Sequence, residues 1–78
     1  MTVAYEIVRF FQHPKADRKV MHVKVTDDGQ PAPWIREFYW GPNEYRNKSD
    51  GELVEEVRRL NDLKPDYPLE CPPFEDRS

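Results

Sequence analysis

The sequence has no long apolar run and almost no cysteine. It contains no stretch of about 18 consecutive apolar residues, so we expect no transmembrane helix. The apolar N-terminal stretch, residues 1–12, includes acidic and basic side chains, which disfavours a signal peptide. The one cysteine, Cys71, cannot form an intramolecular disulfide. These features favour a cytoplasmic protein, because that compartment keeps thiols reduced.

The motifs of common cofactor and metal sites are also missing. The three glycines stand apart at positions 29, 41 and 51, so there is no glycine-rich phosphate loop. The soft metal ligands His13, His22 and Cys71 show neither a CxxC nor an HxxxH spacing. We therefore expect no cofactor and no metal.

Two combinations of side chains could support catalysis, and neither is favoured. Cys71 could act as a nucleophile with His22 as its base, but Glu70 beside the cysteine would raise its pKa and nothing in the sequence joins the two. Glu6 and Glu37 could form a carboxylate pair, but solvated acids near arginines on strands are the commoner arrangement. We predict no enzymatic activity.

The chain is small, highly charged and rich in aromatic side chains. Its 78 residues suffice for one domain; 35% are charged and 13% are aromatic, more aromatic than a disordered chain would be. Residues 1–48 carry a net charge of +2 and residues 49–78 carry −5, which gives the overall −3. The acidic second half is not typical of a nucleic-acid-binding protein, which usually has a basic footprint.

Three segments have the composition of β-strands. Residues 3–12 and 34–40 are rich in aromatic and β-branched side chains, although residues 3–12 show no clean alternation. Residues 19–26 alternate well and place Met21, Val23 and Val25 on one face. Prolines and an Asp-Gly pair separate the segments, which favours antiparallel neighbours.

The clearest local signal is the start of a helix at Ser49. Ser49 as the N-cap and Glu52 three residues later form a capping box. An apolar stripe follows at helical spacing: Leu53, Val54, Val57 and Leu60. We predict a helix over residues 50–63, ended before Pro65.

This order of elements predicts an α+β fold, a three-stranded antiparallel sheet with one C-terminal helix packed on one face (βββα). We assign residues 1–63 to this domain and residues 64–78 to a proline-rich extended tail. The anchors of the tail are Tyr67, Leu69 and Phe74. Because one helix covers only one face, the second face is left to the tail or to another molecule.

The segment WIREFYW, residues 34–40, carries the main indication of function. Its tryptophan, arginine and tyrosine residues are of the types enriched at protein interfaces. We predict a small protein-interaction module with a protein partner, and a homodimer is one form that this interaction could take. The candidate partner-binding residues are Trp34, Arg36, Phe38, Tyr39 and Trp40.

The alternative is a nucleic-acid-binding module that uses the exposed face of the sheet. Some DNA-binding domains have a three-stranded sheet backed by a helix, which is an analogy of fold alone. The candidate residues are Arg9, Arg18, Lys19, Lys24 and Arg36. The mixed charge of the sheet and the negative net charge make this the second choice.

Two short stretches, YEIVRFFQ (5–12) and RKV (18–20), resemble the opening of short proteins encoded by actinobacteriophages. Those proteins often begin with a Tyr-x-Ile-x-Arg-Phe-Tyr-like strand followed by a basic second strand. The similarity ends there, because MHVKVTDDGQPAPWIREFYW intervenes where those proteins have a helix. The resemblance implies a phage-encoded modulator of a host protein, acting in the bacterial cytoplasm, and it carries over no site residues.

Overall fold

The computed structural model describes residues 2–75, which form three strands and two helices. The elements are β1 (Val3–Gln12), β2 (Lys19–Asp27), β3 (Trp34–Trp40), α1 (Pro42–Tyr45) and α2 (Asp50–Leu60). The strands form one antiparallel sheet in the order β1-β2-β3. The βββα fold predicted from the sequence is confirmed.

The pairing register divides the sheet into two faces, because directly opposed residues of antiparallel strands share a face. The helix face comprises Tyr5, Ile7, Phe10, Gln12, Lys19, Met21, Val23, Val25, Trp34, Arg36, Phe38 and Trp40. The open face comprises Ala4, Glu6, Arg9, Phe11, Val20, His22, Lys24, Thr26, Ile35, Glu37 and Tyr39. The register between β1 and β2 shifts between Ile7 and Arg9. This shift changes the parity of β1, which explains why its sequence shows no clean alternation.

The core lies between the helix face and α2. Leu53, Val54 and Val57 of α2 pack with the central side chains of the sheet, Ile7, Phe10, Met21, Val23 and Trp40. Full burial of one such side chain stabilises the fold by about 1.5–3 kcal/mol. Leu60, predicted as part of the apolar stripe, is 61% exposed instead.

Helix α2 begins where the capping box predicts and ends earlier than expected. The Ser49 hydroxyl accepts a hydrogen bond from the Glu52 amide, and the Glu52 carboxylate accepts one from the Ser49 amide. The helix ends at Leu60 instead of residue 63, because Asp62 takes a left-handed φ of 55°. The Leu63 amide then donates to the Arg58 carbonyl and the Asp62 amide to the Arg59 carbonyl, which is a Schellman ending.

The segment between β3 and α2, predicted as a connector, contains the short helix α1. Pro42 occupies its first turn, where a missing amide proton costs nothing. Tyr45 at its end packs against the core, and its hydroxyl donates a hydrogen bond to Asp17. This bond raises the pKa of Tyr45 above its usual value, because the neighbouring carboxylate disfavours the phenolate.

The proline-rich tail is attached to the outer edge of β1. The Tyr5 amide donates to the Tyr67 hydroxyl at 2.9 Å. Further along, the Gln12 amide donates to the Glu75 carbonyl at 3.0 Å, and the Glu75 amide donates to the Phe10 carbonyl at 2.9 Å. The described part of the tail is therefore joined to β1 at two places, of which the second is an isolated parallel bridge between Phe11 and Glu75.

Two apolar side chains of the tail turn toward the helix face. Leu69 and Phe74 pack against the core, and the rings of Phe74 and Phe10 meet edge to face with 5.0 Å between their centres. These two side chains therefore do not cover the open face. The division into residues 1–63 and 64–78 stays a prediction, and Met1 and residues 76–78 lie outside the described residues.

Candidate protein interface

An apolar row crosses the open face near one end of the sheet. It is formed by Phe11, Val20 and Tyr39, which are direct partners on the three strands. Val20 and Phe11 are 1% and 8% exposed, whereas Tyr39 is 56% exposed. The centre of the row is therefore shielded from water while its β3 end is open.

Two arginines extend over the ends of this apolar row. The Arg9 guanidinium carbon lies 4.3 Å from the centre of the Phe11 ring, and that of Arg18 lies 5.2 Å from the centre of the Tyr39 ring. A guanidinium over an aromatic ring gains about 0.5–1 kcal/mol at an exposed site, and its aliphatic stem covers apolar surface. The contact of Arg18 with Tyr39 is therefore weak enough for a partner molecule to replace.

The next row across the open face is polar and largely paired. Arg9, His22 and Glu37 are direct partners on the three strands. His22 Nε2 lies 2.9 Å from Glu37 Oε2, and Arg9 Nε lies 2.7 Å from Glu75 Oε2 of the tail. The polar groups of this row are therefore largely engaged with one another or with the tail.

The third row adds an exposed aliphatic side chain. Glu6, Lys24 and Ile35 oppose one another, and Ile35 is 53% exposed. Within residues 2–75 no helix or strand lies on this face. Ile35 and Tyr39 thus form an exposed apolar border along β3, beside opposite charges.

The five candidate partner-binding residues are divided between the two faces. Tyr39 lies on the open face, and the other four lie on the helix face. Trp40 is 4% exposed and belongs to the core, so it offers no surface in this fold. Phe38 is half-buried against the core, whereas Trp34 is 42% exposed at the end of its strand. A binding role for any of them stays a prediction.

Sequence reasoning missed Ile35 as a candidate. The signal was available, because Ile35 and Tyr39 both occupy odd positions of the same strand and so share a face. The sequence could not show which parity faced the helix. That assignment depends on the pairing of β3 with β2, which places Phe38 opposite Met21.

The structure does not bring the five basic candidate residues onto one surface. Arg9, Arg18 and Lys24 are associated with the open face, whereas Lys19 and Arg36 lie on the helix face. The Arg36 guanidinium donates to the side chain of Asn61 at the end of α2. The Arg9 guanidinium is paired with Glu75. A continuous basic stripe is therefore not formed by these residues.

Lys19 is enclosed by aromatic rings. Its ammonium nitrogen lies 5.7, 5.1 and 4.7 Å from the ring centres of Phe10, Tyr45 and Phe74. The carboxylate of Asp50 is 3.3 Å away. These contacts join the start of β2 to α1, α2 and the tail, which gives the lysine a structural role.

The candidate residues for metal binding and catalysis do not form one cluster. His22 contacts Glu37 on the open face, Glu6 opposes Lys24, and Cys71 lies on the tail. Partial burial, and then the nearby Asp50 carboxylate, raise the pKa of the Cys71 thiol above its usual value. Within residues 2–75 no group of three or more His, Cys, Asp and Glu side chains could hold a metal ion.

A groove of about 500 Å³ lies between β1 and the tail. It forms where the chain between the two tail attachments leaves the strand, and Glu6, Glu70 and Cys71 are among its lining residues. Two carboxylates beside a thiol of raised pKa do not form an activated nucleophile.

No helix in the described residues is long and apolar enough to cross a membrane. Comparison with known proteins found no matching family model, no similar curated protein and no similar solved structure.

Proposed function

We propose that the chain is a small, non-enzymatic protein-interaction module that binds another protein through its open face. The observation that carries this proposal is the exposure of Ile35 (53%) and Tyr39 (56%) on a sheet face that no described element covers. Apolar side chains on such a face lose unfavourable contact with water when a partner covers them.

The surroundings of these two residues support a protein partner. Protein interfaces combine an apolar and aromatic centre with arginine and a polar rim. The apolar row supplies the centre, and Arg18 and Lys24 supply positive charge beside it. The matching partner surface has apolar side chains at its centre and carboxylates around them.

The resemblance to actinobacteriophage proteins suggests a bacterial protein as the partner. The nucleic-acid alternative has less support, because Lys19 and Arg36 are on the helix face and Arg9 is paired with a carboxylate. We expect no DNA binding whose strength falls steeply as salt rises. The test is a salt titration of binding to mixed-sequence duplex DNA. A binding constant that falls steeply as the salt concentration rises would support the nucleic-acid alternative.

The proposal is tested by affinity capture from a bacterial lysate with a double variant, Ile35→Thr and Tyr39→Thr. Threonine keeps the strand preference of these positions while removing most of their apolar surface. The matched control is Leu60→Gln, which removes an equally exposed apolar side chain from the end of α2. We expect the wild type and the control to retain the same protein and the double variant to lose it.

Loss of folding is separated from loss of binding by circular dichroism and thermal unfolding of each variant. The changed side chains are exposed, so we expect folded proteins with melting temperatures close to that of the wild type. Equal capture by a folded double variant, or equal loss in the control, would contradict the proposed surface.

A further inference from the structure

The two edges of the sheet differ in what lies beside them. The edge of β1 is occupied by the tail, through the bonds of Tyr67 to Tyr5 and of Glu75 to Phe10 and Gln12. The edge of β3 has no strand beside it among residues 2–75. An exposed edge presents unpaired amide and carbonyl groups to any other strand.

Strand β3 has few of the devices that protect an edge from pairing. Residues 34–40 contain no proline and no lysine. All seven pair with β2 in an unbroken register, so no bulge turns the strand away. Its only charged residues are Arg36 and Glu37, which carry opposite signs.

The order of side chains along β3 is nearly symmetric about Glu37. Trp34 and Trp40 occupy the two ends, Ile35 and Tyr39 follow inward, and Arg36 and Phe38 flank the centre. Such symmetry suits a strand that meets a second copy of itself, because a two-fold interface uses the same patch twice.

The sheet geometry limits how two such strands can pair. A two-fold axis perpendicular to the sheet keeps both helix faces on the same side, so opposed residues must have positions of equal parity. The axis therefore passes midway between the two copies of one residue, and it is named by that residue. An axis at Glu37 pairs all of residues 34–40, whereas an axis at Arg36 or Phe38 pairs only five of these seven.

The sizes of the cross-strand side-chain interactions also favour the axis at Glu37. This register opposes Trp34 to Trp40 of the second copy, and Ile35 to Tyr39 of the second copy, each twice. It also opposes the two Glu37 carboxylates once, although each has His22 at 2.9 Å within its own chain. Trp40 is buried in its own core, so the comparison depends on the Ile35–Tyr39 pair, which is made twice. One cross-strand pair changes a pairing constant by roughly 1.4- to 5-fold in either direction, so these two apolar pairs outweigh one repulsive pair.

We propose that two copies of the chain pair antiparallel through β3 about a two-fold axis at Glu37, which joins their sheets into one. This goes beyond the proposed function, since it uses the edge of β3 and not the open face. In the pair, the open faces of the two copies are continuous, and their exposed Ile35 and Tyr39 side chains lie together at the centre.

The first test is the mass of the full-length chain over a range of concentrations, by sedimentation equilibrium. We expect a reversible monomer–dimer equilibrium in the wild type. Glu37→Gln removes the repulsion at the axis and should tighten the dimer by roughly 1.4- to 5-fold. The matched control, Glu6→Gln, changes a carboxylate on β1 and should leave the constant unchanged.

The second test fixes the register by cross-linking in a Cys71→Ser background. Glu37→Cys places two thiols opposite each other at the axis and should give a disulfide dimer on mild oxidation. Ile35→Cys alone should not, because its opposing position is Tyr39. A mixture of Ile35→Cys and Tyr39→Cys chains should give the mixed disulfide.

Three results would overturn the proposal. The first is a monomer at every concentration. The second is a dimer whose constant does not respond to Glu37→Gln. The third is a disulfide dimer of Ile35→Cys chains alone with none of Glu37→Cys chains. Hydrogen exchange of the wild type serves where a variant fails to fold, because the outward amides of β3 should gain protection only as concentration rises.

A monomer that still captures a partner would overturn the pairing alone, and a dimer that captures none would overturn the proposed function alone.

Discussion

Single residues show how the environment decides the role of a side chain. Lysine at the start of a strand would ordinarily extend into water, yet Lys19 lies among three aromatic rings and beside Asp50. Arg58 is 8% exposed, and its guanidinium donates to the Tyr67 carbonyl, which holds the turn into the tail. Both cations are engaged in contacts within the chain and are not available to a ligand.

The thiol of Cys71 gives a prediction at this scale. Its pKa is raised by partial burial and by Asp50, so less reactive thiolate is present at neutral pH. We expect the pH midpoint of alkylation by iodoacetamide to be higher in the folded chain than in the urea-unfolded chain. A midpoint at or below that of the unfolded chain would contradict this.

The same raised pKa has a consequence for stability. The folded chain keeps the proton of Cys71 to higher pH than the unfolded chain does, so the free energy of unfolding falls as pH rises from the usual thiol pKa to the raised one. Cys71→Ser should remove this part of the pH dependence in denaturant unfolding.

At the scale of elements, the beginning and end of α2 obey different rules. Its start depends on two side chains three residues apart, whereas its end depends on the left-handed backbone of Asp62. An L-residue in that conformation is strained, although aspartate tolerates it better than most. A carboxylate at the negative end of the helix is also unfavourable.

We therefore predict that Asp62→Gly stabilises the chain by about 0.5–1 kcal/mol, measured by denaturant unfolding. Asp62→Asn is the matched control, because it removes the charge while it keeps a side chain at this position. A smaller gain for asparagine would show that the backbone conformation contributes beyond the charge. Destabilisation by glycine would contradict the Schellman ending.

Local rules explain what the sequence could predict. The alternation of residues 19–26 and the capping box at Ser49 act over a few residues, and both led to correct elements. The shift of register after Ile7 and the path of the tail could not be read this way. They depend on contacts such as that of Tyr5 with Tyr67, which are separated by 62 residues.

The candidate site was predicted only in part for the same reason. Composition points to residues 34–40 as a candidate interface, but it does not tell which of their two apolar faces meets the helix. Pairing with β2 buries Trp40 and leaves Ile35 and Tyr39 exposed. Of the five predicted residues, only Tyr39 lies with Ile35 on the open face.

At the scale of the whole molecule, one side of the sheet is complete and the other is not. Helix α2, α1 and the tail all supply side chains to the helix face. Among residues 2–75 no helix or strand covers the open face, where Arg9 and Arg18 lie over Phe11 and Tyr39. A small domain buries a limited share of its surface, so a partner on this face would add what the chain itself does not supply.

The most direct measurement is the affinity of the captured protein, once purified, for three forms of the chain: wild type, Ile35→Thr/Tyr39→Thr and Leu60→Gln. Two exposed apolar side chains at the centre of an interface predict a loss of affinity of about tenfold or more in the double variant. The Leu60→Gln control should bind as the wild type does. Equal affinity of all three folded proteins would contradict the open face as the binding surface.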